Sequence, residues 1–273
     1  MAVRTPTQAE KADQFKALHA RAGVFVIPNP WDPGSARILE ALGFEALATT
    51  SAGYGFSLGR LDGDVGVDEM IEHCRLLCAS TTLPVTADLE NCYSEDPARA
   101  AQTLVRGAEA GLVGGSIEDY ILGLGIYPFE MAVKRVEAAA EAVRKLSVPL
   151  LLTARAENLI RGVNDLDDTI RRLQAFEAAG AGVLYAPGLK TLDEVRRVCS
   201  SVGKPVNVNM TGLHQTTVKQ LGDAGAKRIS TGGALARVAL AALVQAGRDM
   251  QSEGTFTWAD AAISGAEIKK LLG

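Results

Sequence analysis

The chain has 273 residues, 47% of them apolar, enough to bury a sizeable core and to build either two domains or one large barrel. Its formal charge of -4, with acids and bases interspersed, gives no basic field for nucleic acid or an anionic membrane surface. Four cysteines without a matching His or Cys pair argue against a disulfide framework or a structural zinc site. With charges mixed through the first residues and no apolar run of membrane-spanning length, the expectation is a soluble cytoplasmic protein.

A helix over about 7–21 comes first and is expected to plug the N-terminal end of the fold. Then come short β-branched or apolar runs at about 24–28, 45–50, 84–88, 113–118, 149–155, 182–186, 205–209 and 228–231, alternating with helical stretches. Several helices end in a small residue plus Gly just before the next strand, as in "EALGFEALATT", "AEAGLVGGSIED", "FEAAGAGVLYAP" and "GDAGAKRISTGG". Three strands open at a proline: "LPVTAD", "VPLLLTAR" and "KPVNVNM". Eight βα units in one series favour a (β/α)₈ TIM barrel, an α/β fold, over a doubly wound sheet. The segment "IPNPWDPGSA" after the first strand, where a Gly-rich dinucleotide fingerprint would stand, agrees with that. No linker interrupts the series, so residues 1–273 are expected to form one domain. The closing segment 246–273 carries Phe256, Trp258, Ile263 and Ile268 and is apolar enough to need a partner surface.

In such a barrel the active site lies at the C-terminal strand ends. Strand three ends in Asp88-Leu89-Glu90, strand four in Glu118-Asp119, strand five in Arg155-Ala156-Glu157, and strand seven carries Asn207 and Asn209. Side chains alternate along a strand, so Asp88 and Glu90 are expected on one side with Cα atoms about 6–7 Å apart. Two such carboxylates repel unless a cation or a proton intervenes. With Glu118 they make three oxygen donors around one point, suited to Mg²⁺ or equally Mn²⁺. The Arg155 fork matches a substrate carboxylate, and Ser51, Ala52 and Gly53 offer hydroxyl and backbone N–H groups to an anion. Asp62 is either a turn acid or an outer partner of the metal. Cys92 and His214 are candidate proton donors, as is Tyr127. A metal, an arginine and backbone donors together suit a small oxo-acid whose enolate the ion stabilises. Aldol-type cleavage, β-decarboxylation and P–C rearrangement all remain open on this ground.

The run "VIPNPWDPGSARILEALGFEALATTSAGYGFSLGRLDG", followed by "PVTADLENCY", "GGSIEDY", "LLTARAE" and "RISTGGALARVAL", resembles the isocitrate lyase/phosphoenolpyruvate mutase superfamily over about 13–245. The resemblance implies a barrel whose eighth helix is exchanged with a neighbouring subunit, a homotetramer built as a dimer of such dimers, bound Mg²⁺, and an α-oxo or α-hydroxy acid substrate. It makes Asp88 the principal metal acid, puts Glu90 where a second Asp is usual, and gives Glu118 and Asp62 the third and outer places. Arg155 takes the role of carboxylate-binding arginine, Ser51 to Gly53 hold the substrate's carboxylate and oxo group, and Trp31 and Tyr54 wall the pocket. The chain departs from the pattern after the fourth-strand acids. There "YILGLGIYPFEMAVKR" lacks the Cys- and His-bearing loop of the isocitrate and methylisocitrate lyases and the gating loop of the phosphonopyruvate enzymes. Decarboxylation of an oxaloacetate-type acid to pyruvate, which needs no general acid on a mobile loop, is the leading expectation. A retained C–C lyase, a phosphonopyruvate-type mutase and a silent oxo-acid-binding barrel come after it.

Overall fold

The computed structural model describes residues 4–273, so residues 1–3 of the expected domain lie outside it. Its first helix, α1 (Gln8–Ala20), starts on a capping box in which the Thr7 hydroxyl and the Glu10 side chain serve each other's backbone N–H groups. The strands are β1 (Phe25–Ile27), β2 (Leu47–Ala48), β3 (Val85–Ala87), β4 (Gly114–Glu118), β7 (Leu151–Arg155), β8 (Val183–Tyr185), β9 (Val206–Asn209) and β10 (Arg228–Ser230). All neighbours in this sheet pair in parallel, and each of the eight runs expected from the sequence holds one of its strands. The remaining pair, β5 (Tyr120–Ile121) and β6 (Gly125–Ile126), forms a small antiparallel hairpin beyond β4.

Between the two sheet ends the Ala48 N–H donates to Pro28 O at 3.0 Å, which nearly closes the barrel. Asn29 knits that seam. Its Nδ2 donates to Thr49 O at 2.7 Å, while its Oδ1 accepts the Thr231 and Gly232 N–H groups, both at 2.9 Å.

Period-2 alternation sorts the strands into two faces. Val85, Leu152, Leu184, Val206, Val208 and Ile229 join the outer core against the helices. Those helices include α4 (Val67–Ser80), α5 (Pro97–Glu109), α6 (Phe129–Arg144) and α7 (Leu166–Ala178). Helix α1 crosses the N-terminal end as expected. Phe15, Leu18 and Ala12 pack there with Phe25, Ile27 and Val113, and Gln8 donates to Ala108 O and Leu112 O.

The end of the chain behaves differently. Helix α10 (Ala234–Ser252) buries only Ala236 and Ala246 and leaves Val238 68% and Leu243 66% exposed. The last helix, α11 (Gly265–Leu272), folds back against α2 (Pro33–Ala41). Among the described residues no helix is long and apolar enough to cross a membrane.

Because Phe15 is 1% exposed at the barrel floor, Phe15→Ala should lower the unfolding free energy by about 3–5 kcal/mol, read from denaturant titration. A loss under about 1 kcal/mol would show that the plug is not part of the cooperative core.

Candidate active site

At the C-terminal strand ends two cavities share one wall made of Ser51, Asp62, Asp88 and Arg155. One, of about 600 Å³, runs down into the barrel past Thr86, Ser116, Thr153 and Asn207. The other, of about 500 Å³, is lined by Glu90, Tyr93, Glu118, Arg161 and the β5–β6 hairpin.

The wall is placed by backbone pairing. Glu118 and Arg155 are register partners across β4 and β7, which sets their side chains side by side. The Asp88 N–H donates to Thr49 Oγ1 at 2.9 Å, fixing the first residue past β3. Ser51 opens α3 (Ser51–Ser57), whose N-cap is Thr50.

Arg155 pairs with three carboxylates. Its guanidinium stands 2.5 Å from Asp88 Oδ1, 3.0 Å from Glu118 Oε2 and 2.9 Å from Glu157 Oε1. Arg161 reaches Glu157 at 3.2 Å and Glu118 at 3.7 Å while lying over the Tyr120 ring. Although burial opposes it, the three carboxylates raise Arg155 well above its ordinary value, so its charge is fixed. The expected use of this fork for a substrate carboxylate would add a partner to a guanidinium that three protein carboxylates already share.

Carboxylates outnumber cations here. Among the described residues, Asp62, Asp88, Glu90, Glu118 and Glu157 face only Arg155 and Arg161. The Ser51 hydroxyl lies 2.9 Å from Asp62 Oδ1 and 3.1 Å from Asp88 Oδ2, and it has one proton for both. The surplus shows in the acids. Burial, then Asp88 and Asp62, push Glu90 up to about 7, and burial raises Asp62. Glu118 is also raised, by burial that Arg155 only partly offsets.

A divalent cation is the chemical complement of such a set. Among the described residues, however, no three His, Cys, Asp or Glu side chains are grouped so as to ligate one ion. The three-carboxylate cage expected from sequence is thus not formed, since Glu118 is turned to the two arginines. The residues fit an ion held by one or two carboxylates, Asp88 with Asp62 or Glu90, that keeps much of its water, as Mg²⁺ does.

The segment behind the acids is held under strain. Glu90, Cys92 and Tyr93 have φ values of +50°, +58° and +58°, a region that side chains other than Gly enter at a cost. Arg135, from α6 and only 1% exposed, donates to the carbonyls of Asn91, Ser94 and Glu95 and stacks 4.3 Å over the Tyr127 ring. The Thr103 hydroxyl donates to Cys92 O at 2.9 Å. A second clamp fixes the turn after β7. Asp119 accepts the Glu157 N–H at 2.7 Å and pairs with Arg172 at 2.9 Å, and Arg172 also holds Tyr127 O at 3.0 Å.

Asp62, Asp88, Glu90, Glu118, Arg155, Ser51, Ala52, Asn207 and Asn209 thus line one or both cavities. The other candidates do not. Tyr54 stacks on His73 of α4 with ring centroids 3.7 Å apart, and Trp31 and Gly53 pack against each other behind the wall. Cys92 is buried with its thiol toward Ser116 O, and burial pushes it up to about 12, so it is neither reachable nor a thiolate. Tyr127 is buried and accepts from Asn91 Nδ2, and His214 is exposed on the turn after β9. Sequence reasoning missed Arg161, Tyr93, Arg135 and Arg172. Tyr93 O–H lies 3.3 Å from Glu90 Oε1 inside the acidic cavity. No signal short of the loop geometry would have marked these four residues.

The model of the phosphoenolpyruvate phosphomutase family matches residues 15–251. The chain belongs to that family. Within the wider isocitrate lyase/phosphoenolpyruvate mutase superfamily, it is similar to a Burkholderia cenocepacia J2315 protein whose crystal structure bears the name "putative lyase/mutase". The two share 50% identity, 96% of each chain and a TM-score of 0.94. It is also similar to the 2-methylisocitrate lyase of Halalkalibacterium halodurans, 28% identical over 79% of this chain and 73% of that one. A third relative is the oxaloacetate decarboxylase of Chromohalobacter salexigens, 26% identical over 74% and 71%. These phosphomutase-family relatives are lyases and mutases, and this chain is an enzyme of that superfamily.

Two outcomes check this site. Arg135→Met strips three carbonyls of their donor and should cost about 3–5 kcal/mol in chemical denaturation, with weaker Mn²⁺ binding; an unchanged midpoint would show that the loop holds itself. Glu90 has a raised value in the fold, so the native state binds its proton more tightly than the unfolded chain does. Its contribution is full below its ordinary value of 4.5 and is lost as pH rises through about 7, up to about 3 kcal/mol. The metal-free protein should lose melting temperature between pH 5 and 8, and Glu90→Gln should flatten that slope. An equal slope in the variant would place the titration elsewhere.

Proposed function

We propose that this enzyme is an Mg²⁺-dependent lyase acting on a small α-oxo dicarboxylate, with oxaloacetate-type decarboxylation to pyruvate as the leading reaction. The observation that carries the reading is the carboxylate surplus at the shared wall, placed beside Ser51 and Ala52 at the start of α3. A bound ion supplies the positive charge that favours enolate formation from an α-oxo acid. The chain's own groups do the rest. Asp88, anchored through Thr49 and Arg155, orients the ion's polar surroundings, and Ser51 offers its hydroxyl to the substrate's oxygens. The Tyr93 O–H, 3.3 Å from Glu90 Oε1, faces the same cavity as a proton donor.

The hairpin supports decarboxylation over C–C cleavage. It carries no Cys, His or Lys, and its tip presents Leu122 and Leu124, 61% and 76% exposed. A cleavage that needs a Cys or His on this loop for proton transfer finds neither. The 2-methylisocitrate lyase relative keeps a C–C lyase as the second reading.

The apolar side of α10 supports assembly with further copies of the chain, in the helix-exchanged dimer and tetramer expected from the resemblance. Leu243→Asp should shift the mass measured by light scattering toward a single chain, and a wild type that already runs as a monomer would refute this arrangement.

The enzyme should release pyruvate from oxaloacetate with Mg²⁺, above the metal's own background, and lose it in EDTA. Asp88→Ala should cut turnover at least about 100-fold while the fold survives. Activity on 2-methylisocitrate or phosphonopyruvate alone would replace the leading reaction. An unaltered rate in Asp88→Ala would remove the metal from the mechanism.

A further inference from the structure

The cavity that descends into the barrel ends at a cation that no acid answers. Arg228, the first residue of β10, is 5% exposed and lines that cavity with the inward-facing Thr86, Ser116, Thr153 and Asn207. Its Nε donates to Asn207 Oδ1 at 2.8 Å, and one terminal nitrogen lies 3.3 Å from Thr153 Oγ1. The other lies 3.4 Å from His19 Nε2 of α1. His19 Nδ1 is 2.8 Å from Phe15 O, which can only accept, so the ring proton sits on Nδ1 and Nε2 turns a lone pair to Arg228.

These contacts use three of the five N–H groups a guanidinium carries. Among the described residues no carboxylate pairs with Arg228. Burial accordingly pushes it down to about 10. Ser116 Oγ, in the same cavity, is buried without a partner. Arg135, also buried without a carboxylate, gives its contacts to three backbone carbonyls and an aromatic face and lines neither cavity. A buried charge left with spare donors is costly unless a counter-ion completes it. At the rim, meanwhile, Arg155 is shared by Asp88, Glu118 and Glu157. Besides the exposed Arg237 and Lys190 that line the same cavity, an anionic group entering the barrel finds in Arg228 a buried guanidinium with spare donors.

We infer that Arg228, with Asn207, Thr153 and Ser116, forms an anion subsite inside the barrel that takes the carboxylate of a dicarboxylate substrate remote from the reacting carbon. The inference rests on the oxo-dicarboxylate reading above. A free inorganic anion would use the same chemistry, so the test separates the two sources.

Calorimetric titration of the metal-free full chain with succinate, butyrate and chloride, at fixed ionic strength, compares wild type with Arg228→Met and Arg228→Lys. Wild type should bind succinate at least tenfold more tightly than butyrate. Arg228→Met should lose that preference and weaken succinate at least tenfold, while Arg228→Lys keeps part of it. The melting temperature of metal-free Arg228→Met should be no lower than wild type, since an uncompensated charge has been removed. Mn²⁺ affinity should be equal in all three proteins. Succinate binding unchanged in Arg228→Met overturns the inference. So does chloride that competes with succinate at equal affinity, which makes the occupant an inorganic ion. So does a sharp fall in melting temperature in both variants with anion binding intact, which makes Arg228 a structural tie. If neither variant folds, wild type decides alone, because equal affinity for succinate and butyrate overturns the subsite. Failure of the lyase reading looks different: no pyruvate and no Mn²⁺ binding, with the succinate preference still present.

Discussion

Everything at the open end of this barrel is arranged around a repulsion. Five carboxylates converge on a wall served by two arginines, and the Ser51 hydroxyl cannot satisfy both acids it touches. Removing that repulsion would be easy for a protein under no other demand, because one Asn or Gln would suffice. Retaining it makes the metal-free state the strained one and leaves the wall ready for a cation and the oxygens the cation brings.

Holding such acids in place requires rigid support, and the support is made of other arginines. Arg135 ties down three carbonyls of a segment with three positive φ values, and Arg172 binds Asp119 to Tyr127 O behind the turn that presents Glu157. The three functions of arginine are separated in space. Arg155 neutralises the acids, Arg135 and Arg172 hold the backbone, and Arg228 stands unanswered on the barrel floor. Between wall and floor the inward positions carry hydroxyls and amides where a purely structural barrel would place branched apolar chains.

The eight strands were legible because their signals are local: proline openings, glycine stops and apolar runs act within a few residues. Asp88, Glu118 and Arg155 were legible for a related reason, since a polar residue at the end of a parallel strand has few places to point. Beyond the strand ends the same logic fails. Alternation stops applying once the chain turns left-handed at Glu90, and that is why Cys92, two residues on, ends in the packed interior against Ser116 O. Tyr54 sits on a helix whose rotation sends it to His73, which no spacing in "TTSAGYG" reveals. Arg161 and Arg135 come from distant parts of the chain, and their contacts exist only in the folded molecule. Arg228 did leave a trace, as a charged inward residue in "RIS" opposite the outward Ile229, but it lies at the N-terminal end of its strand, where function is not expected.

On the proposed reading, a wall built this way stores protons that a divalent cation would displace on binding. Calorimetric titration with Mn²⁺ in buffers of different ionisation enthalpy counts those protons directly. One ion should bind per chain, with close to one proton released near pH 5.5, where Glu90 is almost fully protonated, and almost none near pH 8.5. Binding without any pH-dependent release, or no binding at all, would contradict this picture of the site.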